Sequence, residues 1–294
     1  MRLMLKPFGL SSKVVFDDPD GLPTAPLQRL GCCSPHGAFP VMTMSFGMFR
    51  FRNDPALRHF RLRNAGATVL FFVPILRELL LLLGVRDASR ANLQVCVNPT
   101  PSPNPNPIPD PNPNASRANL QKLLREGYSV ALCPGGIWEQ VNADHREEKC
   151  YCQKGLGFVR LAMEAGVPLL PLYTFGEGQV YRTHTLGLGL RRWMAKTLRV
   201  GVPIITGPWG LPCVPLPTYA EHIMGKPIEV GPPNAKPTEA QMNEVYGRYE
   251  AEMHRLFKAH AARLLPPSVA AKGLRLEWLG HRTRVLGLET TVLD

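Results

Sequence analysis

Residues 156–175, LGFVRLAMEAGVPLLPLYTF, carry the reading that decides the fold. Phe158, Leu161, Ala162 and Ala165 recur at helical spacing, so the first half predicts a helix with one apolar face, and Gly166 ends it. Val167–Phe175 is an almost unbroken apolar run, which predicts a buried strand; its two prolines, Pro168 and Pro171, place it near a sheet edge or in an irregular stretch. The same order stands upstream. Leu120, Leu123 and Leu124 share a helical face, Gly127 stops it, and the apolar run Tyr128–Cys133 follows. Helices alternating with strands predict an α/β class.

Further out, Thr238-Glu239-Ala240-Gln241 is a capping box. It opens a last helix with Met242, Val245, Tyr249, Met253, Leu256 and His260 on one stripe. Leu186–Arg199 is basic and amphipathic, and 201–217 reads as loop. Residues 1–29, with Pro7, Pro19, Pro23, Pro26 and a DDPDG turn, form an irregular N-terminal segment. One domain is expected over 30–265, followed by a basic, weakly patterned tail over 266–294.

The chain has 294 residues, 45% of them hydrophobic, enough for a sizeable core and too many for wholesale disorder. Composition also excludes collagen, a coiled coil and a disulfide miniprotein. Thirty-four Lys and Arg against 23 Asp and Glu give +11, which favours an anionic partner: nucleic acid, a membrane surface or a phosphate-bearing small molecule. Basic residues are scattered and no nucleic-acid module is recognisable, so nucleic acid is set aside. The seven cysteines include no CxxC pair, which argues for reduced thiols facing the cytosol and against a metal site.

Eight of the 30 prolines alternate from Pro99 to Pro113. They sit between two copies of ASRANLQ, at 88–94 and 115–121, and removing 95–121 joins the flanks into one amphipathic helix. The segment reads as an in-frame insertion, from tandem duplication or a mis-spliced exon boundary. It holds Asp110 and Arg117, so its removal leaves the net charge unchanged. The most membrane-like stretch, Ala67–Val85, is broken by Pro74 and by Arg77-Glu78. It is either a buried strand followed by an amphipathic helix or a segment lying among lipid headgroups; a clean spanning helix is not predicted.

Two constellations could carry chemistry. His36 stands in Ser34-Pro35-His36-Gly37, where proline and glycine fix a turn around the imidazole. Such a turn presents a general base; a buried structural histidine is the other reading. Val41 stands where a His-x4-Asp dyad would need its carboxylate. In Cys133-Pro134-Gly135-Gly136-Ile137-Trp138-Glu139, directly after a strand, two glycines could turn backbone N–H groups toward an oxyanion or phosphate. Glu139 could orient His36, and an ordinary strand-to-helix turn is the alternative. No nucleophile elbow, GxxxxGK[ST] or complete GxGxxG is present, and His145 reads as part of a solvated DHREEK loop.

Taken in order, these blocks resemble the type-2 diacylglycerol acyltransferases, nearer their plant and algal branch. PHGAFP is similar to the family's proline–histidine block, and FVPILRELLLLLGV to its next segment. KLLREGYSVALCPGGIWE, GFVRLAMEAGVPLLPLYTFGEGQVY, MGKPIEV and the Tyr249–His260 stretch complete a likeness that covers about residues 30–265 outside the insertion. Ser34 departs from the His or Glu of that family, and Gly155 stands where its Arg would be. The family's long N-terminal stretch with a membrane-inserted hairpin also has no counterpart in the pattern, so a shortened or diverged member is expected.

The resemblance implies a single acyltransferase domain with a mixed sheet flanked by helices, associated with the cytosolic face of the endoplasmic reticulum or with lipid droplets. It implies transfer of an acyl group from acyl-CoA, as co-substrate and without a further cofactor, to diacylglycerol. Monoacylglycerol or a long-chain alcohol are alternative acceptors, and a non-catalytic lipid-binding paralogue is the reading outside enzymology. On this implication His36 is the general base and Glu139 its orienter. Pro35, Gly37, Pro134, Gly135, Gly136, Phe158 and Arg160 border the substrates, with backbone donors at Gly135-Gly136 facing the oxyanion and Arg160 facing the CoA phosphates.

Overall fold

The computed structural model describes residues 9–17, 28–43, 62–66, 85–87, 120–153, 155–198, 200–279, 283–285 and 288–290. Nearly all of the proline-rich insertion and of the apolar 67–85 stretch lies outside the described residues.

The fold is mixed α/β. Strands β1 (Ser11–Phe16), β2 (Leu30–Ser34), β3 (Leu62–Gly66), β4 (Val85–Asp87) and β5 (Ser129–Leu132) belong to one central sheet, which β7 (Leu169–Phe175) and β10 (Tyr219–Met224) complete. The spatial order is β1-β10-β7-β2-β5-β3-β4. From β7 to β4 every pairing is parallel; the one antiparallel seam is β7 with β10, and β1 runs parallel to β10. Beside it lies a smaller sheet. There β6 (Glu148–Gln153) pairs in parallel with β11 (Leu274–Leu279), which leads to β12 (Thr283–Val285) and β13 (Leu288–Thr290).

Helix α1 (Gly136–Asn142) follows β5, and α2 (Gly157–Ala165) follows β6. Helix α2 buries Phe158, Val159, Leu161, Ala162 and Met163 and ends at Gly166, whose φ is +65°. Its closing turn bonds Val167 N–H to Ala162 O at 3.1 Å. Residues 120–125 are helical and stop at Gly127, φ +82°, as their sequence predicts.

Between β7 and β10 the chain makes an excursion through β8 (Arg182–Thr183), α3 (Leu188–Thr197) and β9 (Ile205–Thr206). The long helix α4 (Glu239–Leu264) opens with the expected Thr238/Gln241 capping box and lays Tyr249, Met253, Leu256 and Phe257 on the central sheet. Aromatic rings meet through this layer, Phe158 edge-on to Tyr249 at 5.2 Å and Phe257 tilted against Tyr173 at 6.0 Å. A short helix, α5 (Pro267–Ala270), leads into β11.

Three expectations change. Residues 11–16, read as loop, form β1, because pairing from Ser11↔Tyr219 to Phe16↔Met224 supplies order that their sparse apolar content does not announce. Strand β7 is not at an edge: all seven of its residues are buried between β2 and β10. Its ladder with β10 stops at Leu172, and Gly225 N–H donates to Pro171 O at 2.9 Å, so the N–H that proline lacks falls one residue beyond that ladder. The tail contains β11, whose LRLEWL alternation buries Leu274 and Leu276.

Among the described cysteines all are free; Cys32, Cys33, Cys150 and Cys152 are buried and Cys213 is exposed. Ser34, the departure from the family pattern, is buried, and its hydroxyl bonds with the side chains of Tyr249 and Cys150. No helix among the described residues is long and apolar enough to cross a membrane.

Candidate active site

Strand β2 has β5 on one side and β7 on the other, all parallel, so the loops after all three strands open on one sheet edge. Carboxyl edges of parallel strands are where open α/β sheets place their ligands. Here that edge collects Pro35–Gly37 after β2, Cys133–Glu139 after β5 and Gly176-Glu177 after β7.

The His36 Nδ1–H donates to the carbonyl of Gly37 at 3.0 Å. That tautomer leaves Nε2 with the lone pair and with no hydrogen bond among the described residues. Burial pushes the His36 pKa below the ordinary histidine value, only partly offset by the Gly37 carbonyl, so the ring is neutral at neutral pH. A neutral imidazole with a free Nε2 is what proton abstraction requires.

Glu139 lies in the first turn of α1 and is 1% exposed. Its carboxylate does not touch the imidazole: one oxygen accepts from the backbone N–H of His36 and the other from that of Tyr151 at 3.1 Å. The expected orienter thus acts on the main chain of the histidine loop. Burial pushes its carboxyl up to about 7 against the pull of those two N–H groups.

The second carboxylate at this edge, Glu177, was not singled out from sequence. It accepts from the N–H of Met42 at 3.0 Å and from the N–H and hydroxyl of Thr43, each at 2.6 Å. It too is driven up to about 7 by burial. Glu139 therefore grips the His36 loop where it leaves β2, and Glu177 grips it where the next helical turn begins. The only sequence signal for Glu177 is its place in FGEGQVY, right after a buried strand. From Glu177 the hydrogen bonds continue through Thr43 and Thr174 to His222 Nδ1, at 3.2 and 3.1 Å.

The glycines have separate reasons. A Cβ on Gly135 would collide with the Glu139 carboxylate, which folds back over the turn. Gly136 has open space around it but a φ of +48°. Gly37 combines both, with φ +64° and Glu177 atoms 3.1 Å from where its Cβ would stand. Pro35 and Pro134 are buried beside these turns. The pair of oxyanion donors expected at Gly135-Gly136 is reduced to one, because Gly136 N–H already closes the turn onto Cys133 O at 3.2 Å. Gly135 N–H has no hydrogen bond among the described residues.

Two expected site residues stand apart. Phe158 is 7% exposed and packs against Tyr246 and Tyr249, which makes it a core residue rather than a lining one. Arg160, on the following stretch of α2, is half-buried, and its Nε is without a protein partner among the described residues. His145, read as solvated, exchanges hydrogen bonds with Thr183 instead. No group of three or more His, Cys, Asp or Glu among the described residues could hold a metal ion.

The arrangement defines an α/β domain that presents a neutral histidine at the carboxyl edge of its sheet, in a loop gripped by two buried carboxylates. The chain belongs to the diacylglycerol acyltransferase family, whose model matches residues 112–270. It is 28% identical over 219 residues to the human 2-acylglycerol O-acyltransferase 3, covering 70% of this chain and 55% of that protein. It is 26% identical to diacylglycerol O-acyltransferase 2B of Umbelopsis ramanniana, over 48% of this chain and 45% of the relative. Against the mouse acyl-CoA wax alcohol acyltransferase 2 the identity is 25%, over 50% and 48%. The chain spans about half the length of the curated relatives it matches. No solved structure matches it.

Proposed function

We propose that this chain is an acyl-CoA-dependent O-acyltransferase that esterifies diacylglycerol to triacylglycerol, with His36 as general base. The observation that carries the reading is the neutral imidazole of His36, whose Nε2 has no hydrogen bond among the described residues, in a loop fixed from both sides. In the reaction Nε2 takes the proton of the acceptor hydroxyl as its oxygen attacks the thioester carbonyl. The oxyanion faces the Gly135 N–H; the C–S bond then breaks, and the imidazolium returns its proton to the CoA thiolate. No group beyond these residues and the two substrates is required. Arg160 meets the phosphates of acyl-CoA, and the basic surface suits the cytosolic face of the endoplasmic reticulum membrane or a lipid droplet. Pro35, Gly37, Pro134, Gly135 and Gly136 shape the edge at which the acyl and acceptor groups meet.

The relatives are named for three acceptors, so monoacylglycerol and a long-chain alcohol are the alternatives, and parallel assays with each alcohol and labelled acyl-CoA separate them. His36→Ala is expected to lower turnover by about 10²–10⁴-fold with folding intact, the range a positioned general base contributes. Full turnover of the folded variant removes His36 from the role of base. Absence of turnover in the unmodified chain with all three acceptors favours a lipid-binding paralogue.

A further inference from the structure

The excursion between β7 and β10 is built inside out. In α3, Arg191 is buried: its Nε donates to Leu186 O at 3.1 Å and its Nη2 to His184 O at 2.6 Å. Leu190 and Trp193, one turn apart on the opposite side, are 63% and 54% exposed. A helix on a water-facing surface turns its leucines in; this one turns Leu190 and Trp193 out beside the exposed Arg192 and Lys196 and buries Arg191. Further along the excursion, in the Pro208–Gly210 turn, Trp209 has a φ of +54° and is 92% exposed. A side-chain-bearing residue in that region costs about 1–2 kcal/mol, and here it holds an indole in the open. Every large hydrophobic residue that is exposed among the described ones falls between Leu186 and Tyr219.

Charge completes the pattern. Between Glu177 and Glu221 the sequence contains no acidic residue, while Arg182, Arg191, Arg192, Lys196 and Arg199 lie within it. The excursion is also firmly seated. Thr183 and His145 exchange two hydrogen bonds, Arg192 Nε donates to Asn142 Oδ1 at 2.7 Å, and Leu216 N–H donates to Val180 O at 2.8 Å.

From this we infer that the outer face of α3 and the Trp209 turn form a docking surface for an anionic lipid layer. Leucine and tryptophan enter the headgroup region while the exposed Arg182, Arg192 and Lys196 meet lipid phosphates and carboxylates. The inference deepens the membrane reading above by naming the face that touches lipid. Its test needs no acyl transfer and reads the face itself.

Cys213, exposed on this excursion, can carry an environment-sensitive fluorophore in the full chain with Cys96→Ser. With phosphatidylcholine vesicles containing phosphatidylserine, the label is expected to shift to the blue and brighten, and much less so without phosphatidylserine. Arg182→Glu with Lys196→Glu is expected to weaken vesicle binding by about fivefold or more per charge. Leu190→Glu and, separately, Trp209→Ser remove the spectral response while leaving circular dichroism unchanged. A chain that floats with vesicles while the label stays silent overturns this face and leaves membrane binding to another segment. A label that responds to protein concentration without lipid, accompanied by a doubled mass in solution, assigns the face to a second copy and likewise overturns the proposal.

Discussion

Glu139 binds the main chain of His36 and not its ring, and that single contact separates two kinds of catalytic support. A carboxylate on the imidazole would hold its pKa up, and removing that charge would lower the value by about 1–3 units. Glu139→Gln is therefore expected to reduce kcat, because an amide leaves one acceptor oxygen for the two N–H donors of His36 and Tyr151, while the acid limb of the pH–rate profile stays in place below the ordinary histidine value. A limb that moves down by a unit or more places the carboxylate on the ring. Sequence spacing could bring Glu139 and His36 to one site, since both follow buried apolar strands. It could not say which atoms meet, because a carboxylate one helical turn past a glycine pair reaches a side chain or a backbone N–H equally well.

Glycine punctuation shows what the elements reveal in sequence and what they hide. Gly127 and Gly166 were legible as helix stops, and both take the left-handed backbone that a stop requires. At Gly166 an added Cβ would also stand 2.6 Å from Pro233 Cδ. Gly166→Ala is expected to destabilise the chain by about 2 kcal/mol or more, read as a lower urea midpoint. Gly155, just before α2, has no positive φ and nothing within 4 Å of where a Cβ would stand, so Gly155→Ala is expected to raise stability by about 0.4–1 kcal/mol. The same sign for both substitutions would sink the argument. The place of β7 in the sheet was not legible, because proline pushes a strand outward only where its missing N–H faces a continuing ladder, and the end of the β10 ladder is a tertiary fact. Strand β1 was hidden for a similar reason, since its order comes from Tyr219–Met224, two hundred residues away.

For the molecule as a whole, the two gripping carboxyls set a pH dependence of stability. Glu139 and Glu177 are both driven up to about 7, and burial moves Glu148 in the same direction. An unfolded glutamate titrates near about 4.3, so the folded chain holds more protons than the unfolded one between these values. Their contribution is complete below the unfolded pKa and is lost as pH rises through about 7. Half-buried His36, His145 and His254, whose pKa values are lowered by desolvation, act in the opposite sense at more acid pH. The difference between the native chain and Glu177→Gln isolates the carboxyl effect. Urea midpoints taken across this range are expected to fall less steeply with pH in the variant, and parallel curves would show that Glu177 ionises freely. None of this was readable from sequence, because a net charge of +11 gives no sign of acids buried at the sheet edge.

The antiparallel seam between β7 and β10 has a consequence for how such a domain can change over time. A link between parallel neighbours must cross the sheet with a fixed hand, whereas a link between antiparallel neighbours has no handedness to respect. Loop length there carries only a slowly growing entropic penalty. The chain leaves near Val180, returns near Leu216, and closes the neck with a backbone hydrogen bond. The stretch between those points can change in length without altering the strand order that sets His36 between its two carboxylates, provided the Thr183–His145 and Arg192–Asn142 contacts that seat it are kept.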